Sequence, residues 1–164
     1  MNNIYLKNIE SDLKNLLSAF LITMAIGIGT GLVYVYLTTN MTTAGTEERF
    51  NGSKTSNITD IPEEFPKPLE NMILTTHNHI MTFAIISLLL GVIFYFNSTV
   101  SGKLKTFIII EPFIAILITF TSMWIMRYIY PFFSIIMVLS AVFMYICWYA
   151  MIGISLYELL CKKK

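Results

Sequence analysis

Charged residues are scarce in this sequence. Asp, Glu, Lys and Arg together make up 13% of its 164 residues, whereas about a quarter is usual in a soluble domain. The formal net charge is +1, so the chain has no bulk positive field to attract nucleic acid. Apolar residues take their place, because 55% of the residues are hydrophobic and the mean hydropathy is +0.68. The composition therefore argues against a soluble domain and indicates a membrane protein.

Cysteine and histidine are also few. The only cysteines are Cys147 and Cys161, which form no CxxC pair, and this argues against a disulfide framework or a cysteine-ligated zinc site. The sequence has no glycine-rich phosphate loop, no HExxH motif and no convincing pair of nucleophile and base. These absences favour a protein that is not an enzyme. Both histidines, His77 and His79, lie in the stretch TTHNHI at the start of an apolar run.

Long apolar runs are abundant. A helix needs about 20 apolar residues to cross a bilayer. Four stretches meet this length, at about residues 16–37, 72–96, 106–128 and 131–157. The first is longer than the core of a cleaved signal peptide, so we expect it to be retained as an anchor. The sequence thus predicts an all-α membrane protein, with one domain over residues 1–164 built as a bundle of four transmembrane helices.

The distribution of Lys and Arg predicts how the helices are oriented. One side of the membrane carries seven of these residues, namely Lys7, Lys14, Lys103, Lys105 and Lys162 to Lys164. The other side carries four, namely Arg49, Lys54, Lys67 and Arg127. Because cytoplasmic loops carry the excess of positive charge, we expect both termini to be cytoplasmic. Residues 38–71 then form an outer loop, which we expect to be a loosely ordered cap.

Small and polar residues within the apolar runs indicate which faces pack against other helices. In the first span, Gly27 and Gly31 have the small-xxx-small spacing that lets two helix backbones approach closely. We favour packing within the bundle for this pair, with a dimer contact as the alternative. In the second span, Thr82, Ser87 and Gly91 lie in a broad sector of small and polar residues. We expect this sector to face a neighbouring helix.

The histidines indicate a site at the outer membrane face. On a helix their side chains lie about 200° apart, which disfavours a simple His-x-His metal site unless the helix begins after His79. His79 falls in the polar sector, and we expect it to point into the bundle. Arg127 ends the third span at the same level, where it either anchors the helix at the interface or neutralises an anionic group bound near His79. His77, His79 and Arg127 are therefore the candidate cofactor-binding residues.

Glu111 is a carboxyl group within the third span, on a stripe with Ala115, Thr119 and Ser122. An ionisable group inside a membrane is costly and indicates a function by default. Desolvation disfavours its charged form. The alternative is a purely structural neutral acid, hydrogen-bonded to a carbonyl group that Pro112 leaves without its helical donor. The sequence leaves both interpretations open.

Three motifs carry a family resemblance. FPKPLENMILTTHNH, IIIEPF and SMWIMRY, in this order, resemble a family of small four-span bacterial inner-membrane proteins without an established activity. The resemblance runs from the first helix to SLYELL and implies a fold and a location. A weaker resemblance is to four-helix membrane haem proteins, and it implies that His79, with Gly91 further along, would ligate haem b. Such haems usually take histidines from two helices, so this chain would need a homodimer, a methionine ligand or five-coordinate iron.

Three functions follow as hypotheses. The first, which we favour, is a non-catalytic accessory or assembly component that binds a larger membrane complex through its apolar faces. The second is a redox module that binds haem, copper or a quinone through His79. The third is a small proton-coupled transporter, in which several copies use Glu111 and His79 as relay groups. In each case the lipid bilayer is the environment, the protein partner is a larger complex or a second copy, and nucleic acid has no role.

Overall fold

The computed structural model describes residues 5–53, 62 and 64–162. This part of the chain is helical and contains no strand. Its elements are a short 3-10 helix (Leu6–Asn8) and the α-helices α1 (Ser11–Thr39), α2 (Thr43–Asn51), α3 (Leu69–Tyr95), α4 (Gly102–Tyr128) and α5 (Phe133–Leu160). Helices α1, α3, α4 and α5 are long and apolar enough to cross a membrane. The predicted all-α fold with four membrane-spanning helices is therefore confirmed.

Helix α5 is the element around which the others assemble. It packs against α1, α3 and α4, and it also contacts α2 and the 3-10 helix. The core is rich in methionine and aromatic side chains, and the buried ones include Met72, Phe94, Met123, Met144, Trp148 and Met151. Helix α1 is the most peripheral span. In its most apolar stretch of 18 residues only 17% of the residues are buried, against 39% in the corresponding stretch of α4. It packs mainly on α5 and α2.

The two ends of the bundle are built from different segments. The N-terminal segment, the α3–α4 turn and the end of α5 meet at one end, here called the terminal end, where the Leu6 amide donates to the Phe96 carbonyl at 3.0 Å. Helix α2, residues 64–68 and the α4–α5 turn lie at the opposite end, the loop end. Lys54, Lys163 and Lys164 lie outside the described residues. The cytoplasmic orientation of the terminal end stays a prediction.

The described part of the loop between α1 and α3 is more ordered than the sequence predicts. Helix α2 starts with a side-chain cap, because Thr42 Oγ1 accepts a hydrogen bond from the Gly45 amide at 2.9 Å. Gly52 follows α2 at a φ of 89°, a left-handed conformation that favours glycine. The Lys67 amide then donates to the Phe50 carbonyl at 2.9 Å, which holds the returning chain beside α2. A loosely ordered cap is thus the wrong description of these residues, because capping and tertiary hydrogen bonds order them.

All four spanning helices are longer than their apolar runs. Helices α1, α3 and α4 begin at Ser11, Leu69 and Gly102, three to five residues before the apolar run, and α5 ends at Leu160 rather than at Tyr157. Helix limits depend on backbone hydrogen bonding, so a helix continues through polar residues where apolarity stops. The extension of α5 brings Glu158 into the helix.

Candidate functional site

Both histidines lie inside a continuous helix. Because α3 begins at Leu69, eight residues before His77, the exception that would allow a His-x-His metal site does not apply. Both side chains are exposed. His79 Nδ1 lies 2.9 Å from the Thr75 carbonyl oxygen, which can only accept a hydrogen bond, so Nδ1 carries a proton. A neutral His79 ring therefore presents the lone pair of Nε2.

Aromatic rings separate His79 from the core. Its ring centroid lies 5.2 Å from that of Phe83 and 5.9 Å from that of Phe120 on α4. Phe83 in turn contacts Trp148 of α5, with centroids 5.1 Å apart. His79 thus lies at the seam between α3 and α4 but does not reach the core, because these larger side chains occupy the space ahead of it. The expectation that it points into the bundle is only partly met.

Arg127 lies apart from the histidines. Its Nε and Nη2 both donate to the Lys67 carbonyl at 3.4 Å. Seven residues separate Arg127 from Phe120, the α4 neighbour of His79, which corresponds to about 10 Å along the helix. His77 projects from the opposite side of α3. No hydrogen bond among the described residues joins Arg127 to either histidine, so a site shared by these three residues stays a prediction.

The loop-end residues fasten α4 to the start of α3. Trp124 Nε1 donates to Thr76 Oγ1 at 2.8 Å, and Thr76 donates to the Met72 carbonyl at 2.7 Å. Trp124 also stacks on Tyr128, whose ring centre lies 5.0 Å from the guanidinium carbon of Arg127. Arg127 thus lies beside a stacked pair of Trp and Tyr rings, and its role as an anchor at the membrane interface stays a prediction.

The residues around His79 do not fit a haem with two histidine ligands from one chain. The only other histidine, His77, projects about 200° away on the same helix. Phe83 and Phe120 pack against the His79 ring where α3 meets α4. In the part of the chain that the structure describes, no three His, Cys, Asp or Glu side chains are close enough to hold a metal ion.

The polar sector of α3 divides between helix contacts and the membrane face. Ser87 is fully buried, and its hydroxyl accepts a hydrogen bond from Trp148 Nε1 at 3.0 Å. Gly91 is buried against α4, where an added Cβ would lie 3.3 Å from Ile109 Cγ2. Thr82 is exposed, so the expectation that it packs against a neighbouring helix is wrong. The reason is geometric, because Thr82 lies about 140° from Ser87 round the helix.

Glu111 lies half-buried at the seam between α4 and α5. The Cys147 thiol of α5 lies beside its carboxyl group, and Oε2 is buried without a hydrogen-bond partner. The other three residues of the predicted stripe, Ala115, Thr119 and Ser122, are buried. Nine residues separate Glu111 from Phe120, the neighbour of His79, which is about 13 Å along α4. Glu111 and His79 therefore form no direct proton relay within the chain.

Glu158 is a buried carboxylate that the sequence analysis missed. At the terminal end, Oε2 accepts hydrogen bonds from the Ser98 amide at 2.7 Å and from the Thr99 hydroxyl at 3.1 Å. Oε1 accepts from the Lys7 amide at 3.4 Å. Glu158 thus joins three segments of the chain. One sequence signal pointed to it, because a carboxylate in the last turn of a helix faces the negative end of the helix dipole and needs donors from elsewhere.

The comparison with protein families agrees with this architecture. The sequence model of a family described as a transmembrane helical domain matches residues 40–164, which contain α2 to α5. The chain belongs to this transmembrane helical domain family. No curated protein and no solved structure matches the chain. Family membership therefore establishes a membrane-spanning helical protein, and the description of the family names no activity.

Helix α1 lies outside the part matched by the transmembrane helical domain family. Gly27 and Gly31 are exposed, and an added Cβ at either position would meet no atom of the described residues within 4 Å. The expectation that this pair packs within the bundle is therefore wrong. Gly29 faces α5 instead, because a Cβ there would lie 3.2 Å from the Tyr149 hydroxyl. The dimer alternative for Gly27 and Gly31 stays a prediction.

Proposed function

We propose that the chain is a non-catalytic accessory or assembly component of a bacterial inner membrane, which associates with a larger membrane complex through α1. The outward position of Gly27 and Gly31 carries this proposal. They lie about one turn apart on the exposed face of α1, with open space where a side chain would begin. In lipid, helices associate through close backbone approach, and small residues at four-residue spacing permit it.

Thr23 extends the same face by one turn. Its hydroxyl donates to the Ala19 carbonyl at 2.9 Å, so it needs no partner outside the helix. Thr23, Gly27 and Gly31 together form what we call the α1 stripe. Helix α1 is held to the rest of the chain by α5 and α2, on its other side, and this leaves the α1 stripe accessible to a helix of another membrane protein.

The polar side chains of the bundle support a structural role. Arg127 joins α4 to the segment before α3, Trp124 joins α4 to α3, and Trp148 joins α5 to α3. Glu158 joins α5 to the α3–α4 turn and to the N-terminal segment. These groups hold helices together, which is what an accessory component requires of them.

Substitution of the stripe glycines tests the proposal. Gly27→Leu and Gly31→Leu place bulk on the α1 stripe without a clash in the described residues, and both raise helix propensity. Gly153→Leu on α5 is the matched control, because Gly153 is also an exposed helical glycine with open space at its Cβ position. We expect both stripe variants to reduce the share of the chain found in large complexes, and the control to leave it unchanged. Native mass spectrometry of membranes extracted in a mild detergent measures this share.

Two results would count against the proposal. Equal complex formation by Gly31→Leu and Gly153→Leu would remove the α1 stripe as the contact. If the wild-type chain is found only as a homodimer, the α1 stripe serves self-association and not an accessory role in a larger complex. Thermal unfolding of the purified variants shows whether a loss of complexes reflects a lost contact or a destabilised chain, and we expect it to be equal in the three variants.

A further inference from the structure

A groove between α4 and α5 opens on the membrane-facing side of the bundle. Its lining includes the apolar residues Ile114, Ile118, Leu139 and Phe143, and the polar residues Glu111 and Ser140. The apolar rim is exposed, so the groove faces lipid rather than another helix of the described chain. We infer that this groove binds a neutral, lipophilic molecule through a carbonyl or hydroxyl oxygen, which accepts a hydrogen bond from the Glu111 carboxyl group.

Glu111 supplies the polar end of this site. An ionised carboxylate inside a membrane requires a cation, and no Lys or Arg nitrogen of the described residues lies within 4.0 Å of Glu111. The uncharged acid is therefore the form that suits this position, and its O–H needs an acceptor. Within the described chain the Cys147 thiol, which is only a weak hydrogen-bonding group, lies beside this carboxyl group. Neither carboxyl oxygen has a hydrogen-bond partner among the described residues, and Oε2 is the one of the two that is buried.

Ser140, the other polar residue of the groove, is already satisfied. Its hydroxyl donates to the Met137 carbonyl at 3.1 Å. It also lies 2.8 Å from the Thr119 hydroxyl, and because its own proton is used, it accepts a hydrogen bond from Thr119. The groove thus offers one unused hydrogen-bonding group, Glu111, above an apolar surface. This combination matches a ligand with one polar oxygen on an apolar body.

The depth of Glu111 decides the charge of the ligand. Glu111 follows the first residue of α4, Gly102, by nine positions, which places it about 13 Å inside that end of the helix. A charged lipid headgroup would have to leave water to reach it, at a high cost in solvation. A quinone carbonyl or the hydroxyl of a long-chain alcohol carries no charge and can reach this depth. The site does not depend on α1 or on the proposed partner complex.

Carbodiimide labelling tests whether Glu111 is reachable from the membrane. The probe is N,N′-dicyclohexylcarbodiimide, itself neutral and lipophilic, added to the purified chain in nanodiscs and mapped by mass spectrometry. A carbodiimide nitrogen takes the carboxyl proton, the carboxyl oxygen attacks the central carbon, and the O-acylisourea rearranges to a stable N-acylurea without loss of any atom. We expect an adduct at Glu111, none in Glu111→Gln, and none at Glu158, whose carboxylate is buried and hydrogen-bonded.

Competition then tests binding. A decyl-substituted benzoquinone provides the carbonyl oxygen and farnesol provides the hydroxyl oxygen, and we expect at least one of them to slow labelling several-fold. The probe that slows it identifies the source of the oxygen. Leu139→Trp fills the rim and should slow labelling by itself. Ile146→Trp is its matched control, because Ile146 is similarly exposed on α5 (57% against 54%) but does not line the groove.

Each remaining outcome overturns the inference. No adduct at Glu111 would show that the membrane does not reach it, and labelling that neither probe slows would show that the groove does not hold such a molecule. Equal labelling rates in Leu139→Trp and Ile146→Trp would show that access does not run through the groove. Both tryptophan variants replace exposed side chains, and their helix content by circular dichroism verifies that they fold.

Discussion

At the scale of single residues, the donors within reach decide what a buried polar group does. Glu158 and Glu111 are both carboxyl groups in apolar helices. Glu158 meets the amides of Ser98 and Lys7, which its position at the bundle end brings to it. Glu111 meets the Cys147 thiol and an open groove. The first carboxyl group therefore stabilises the fold, and the second is available to a ligand.

Replacement of Glu158 by Gln should destabilise the bundle. The variant keeps the shape of the side chain but loses the charge that strengthens the hydrogen bonds from the Ser98 and Lys7 amides. We expect a loss of about 1.5–3 kcal/mol in the free energy of unfolding, since this is the usual contribution of a hydrogen bond to a charged group. Thermal unfolding in detergent measures it as a lowered midpoint. Glu70→Gln, at an exposed position in the first turn of α3, is the control, and an equal shift in both variants would refute the prediction.

At the scale of helices, the position of each glycine decides whether it brings helices together. Gly91 lies where α3 meets α4. Gly27 and Gly31 lie on the open side of α1, and Gly153 lies on the open side of α5. Gly27 and Gly31 of α1 have the same four-residue spacing as Ser87 and Gly91 of α3, but only the packing of the bundle shows which pair is inside. How much a larger side chain destabilises the bundle therefore depends on whether the glycine contacts another helix.

Substitution of Gly91 should therefore lower the stability of the bundle far more than substitution of Gly153. In Gly91→Leu the new Cβ lies 3.3 Å from Ile109 Cγ2, and the rest of the side chain has to displace α3 from α4. We expect a destabilisation of about 1–3 kcal/mol, as is typical of an overpacked core. Gly153→Leu should change the unfolding midpoint little. The same thermal unfolding experiment compares the two, and equal midpoints would contradict the assigned contact.

At the scale of the whole molecule, four spans bring the first and the last described residues to one end of the bundle. The described lysines at that end include Lys7, Lys14, Lys103, Lys105 and Lys162. Some of them also fasten the fold, because Lys105 Nζ donates to the Asn97 carbonyl at 2.6 Å and Lys162 Nζ donates to the Ser98 hydroxyl at 3.1 Å. The positive charge that predicts the orientation thus also stabilises the α3–α4 turn. The terminal end is expected to face the cytoplasm.

The two cysteines provide a test of this orientation. Cys161 is exposed at the terminal end and Cys147 is buried. A membrane-impermeant maleimide should label the chain in inverted inner-membrane vesicles and leave it unlabelled in intact spheroplasts. Cys161→Ser should abolish the labelling, because Cys147 is protected by the bundle. Labelling in spheroplasts would mean that the termini face outward.

The class of the protein and the approximate positions of its spans follow from the sequence. Apolarity over about 20 residues is a property of a single stretch of chain, so it can be read without knowledge of the fold. The same applies to the scarcity of metal-ligating residues and to the unusual position of Glu111 within an apolar run. The sequence did not predict α2, because its stability depends on the Thr42 cap and on contacts with three other helices.

Which side chains meet depends on how the helices pack, and this is visible only in the folded structure. Arg127 binds the carbonyl of Lys67, 60 residues away, rather than joining His79. Glu158 reaches the Lys7 amide across 151 residues, and Trp148 reaches Ser87 across 61. Periodicity places a residue on a face of its own helix, but the rotation of each helix in the bundle follows from the packing of all of them. The α1 glycines therefore face outward and the α4–α5 groove opens beside Glu111, because helix packing places them there.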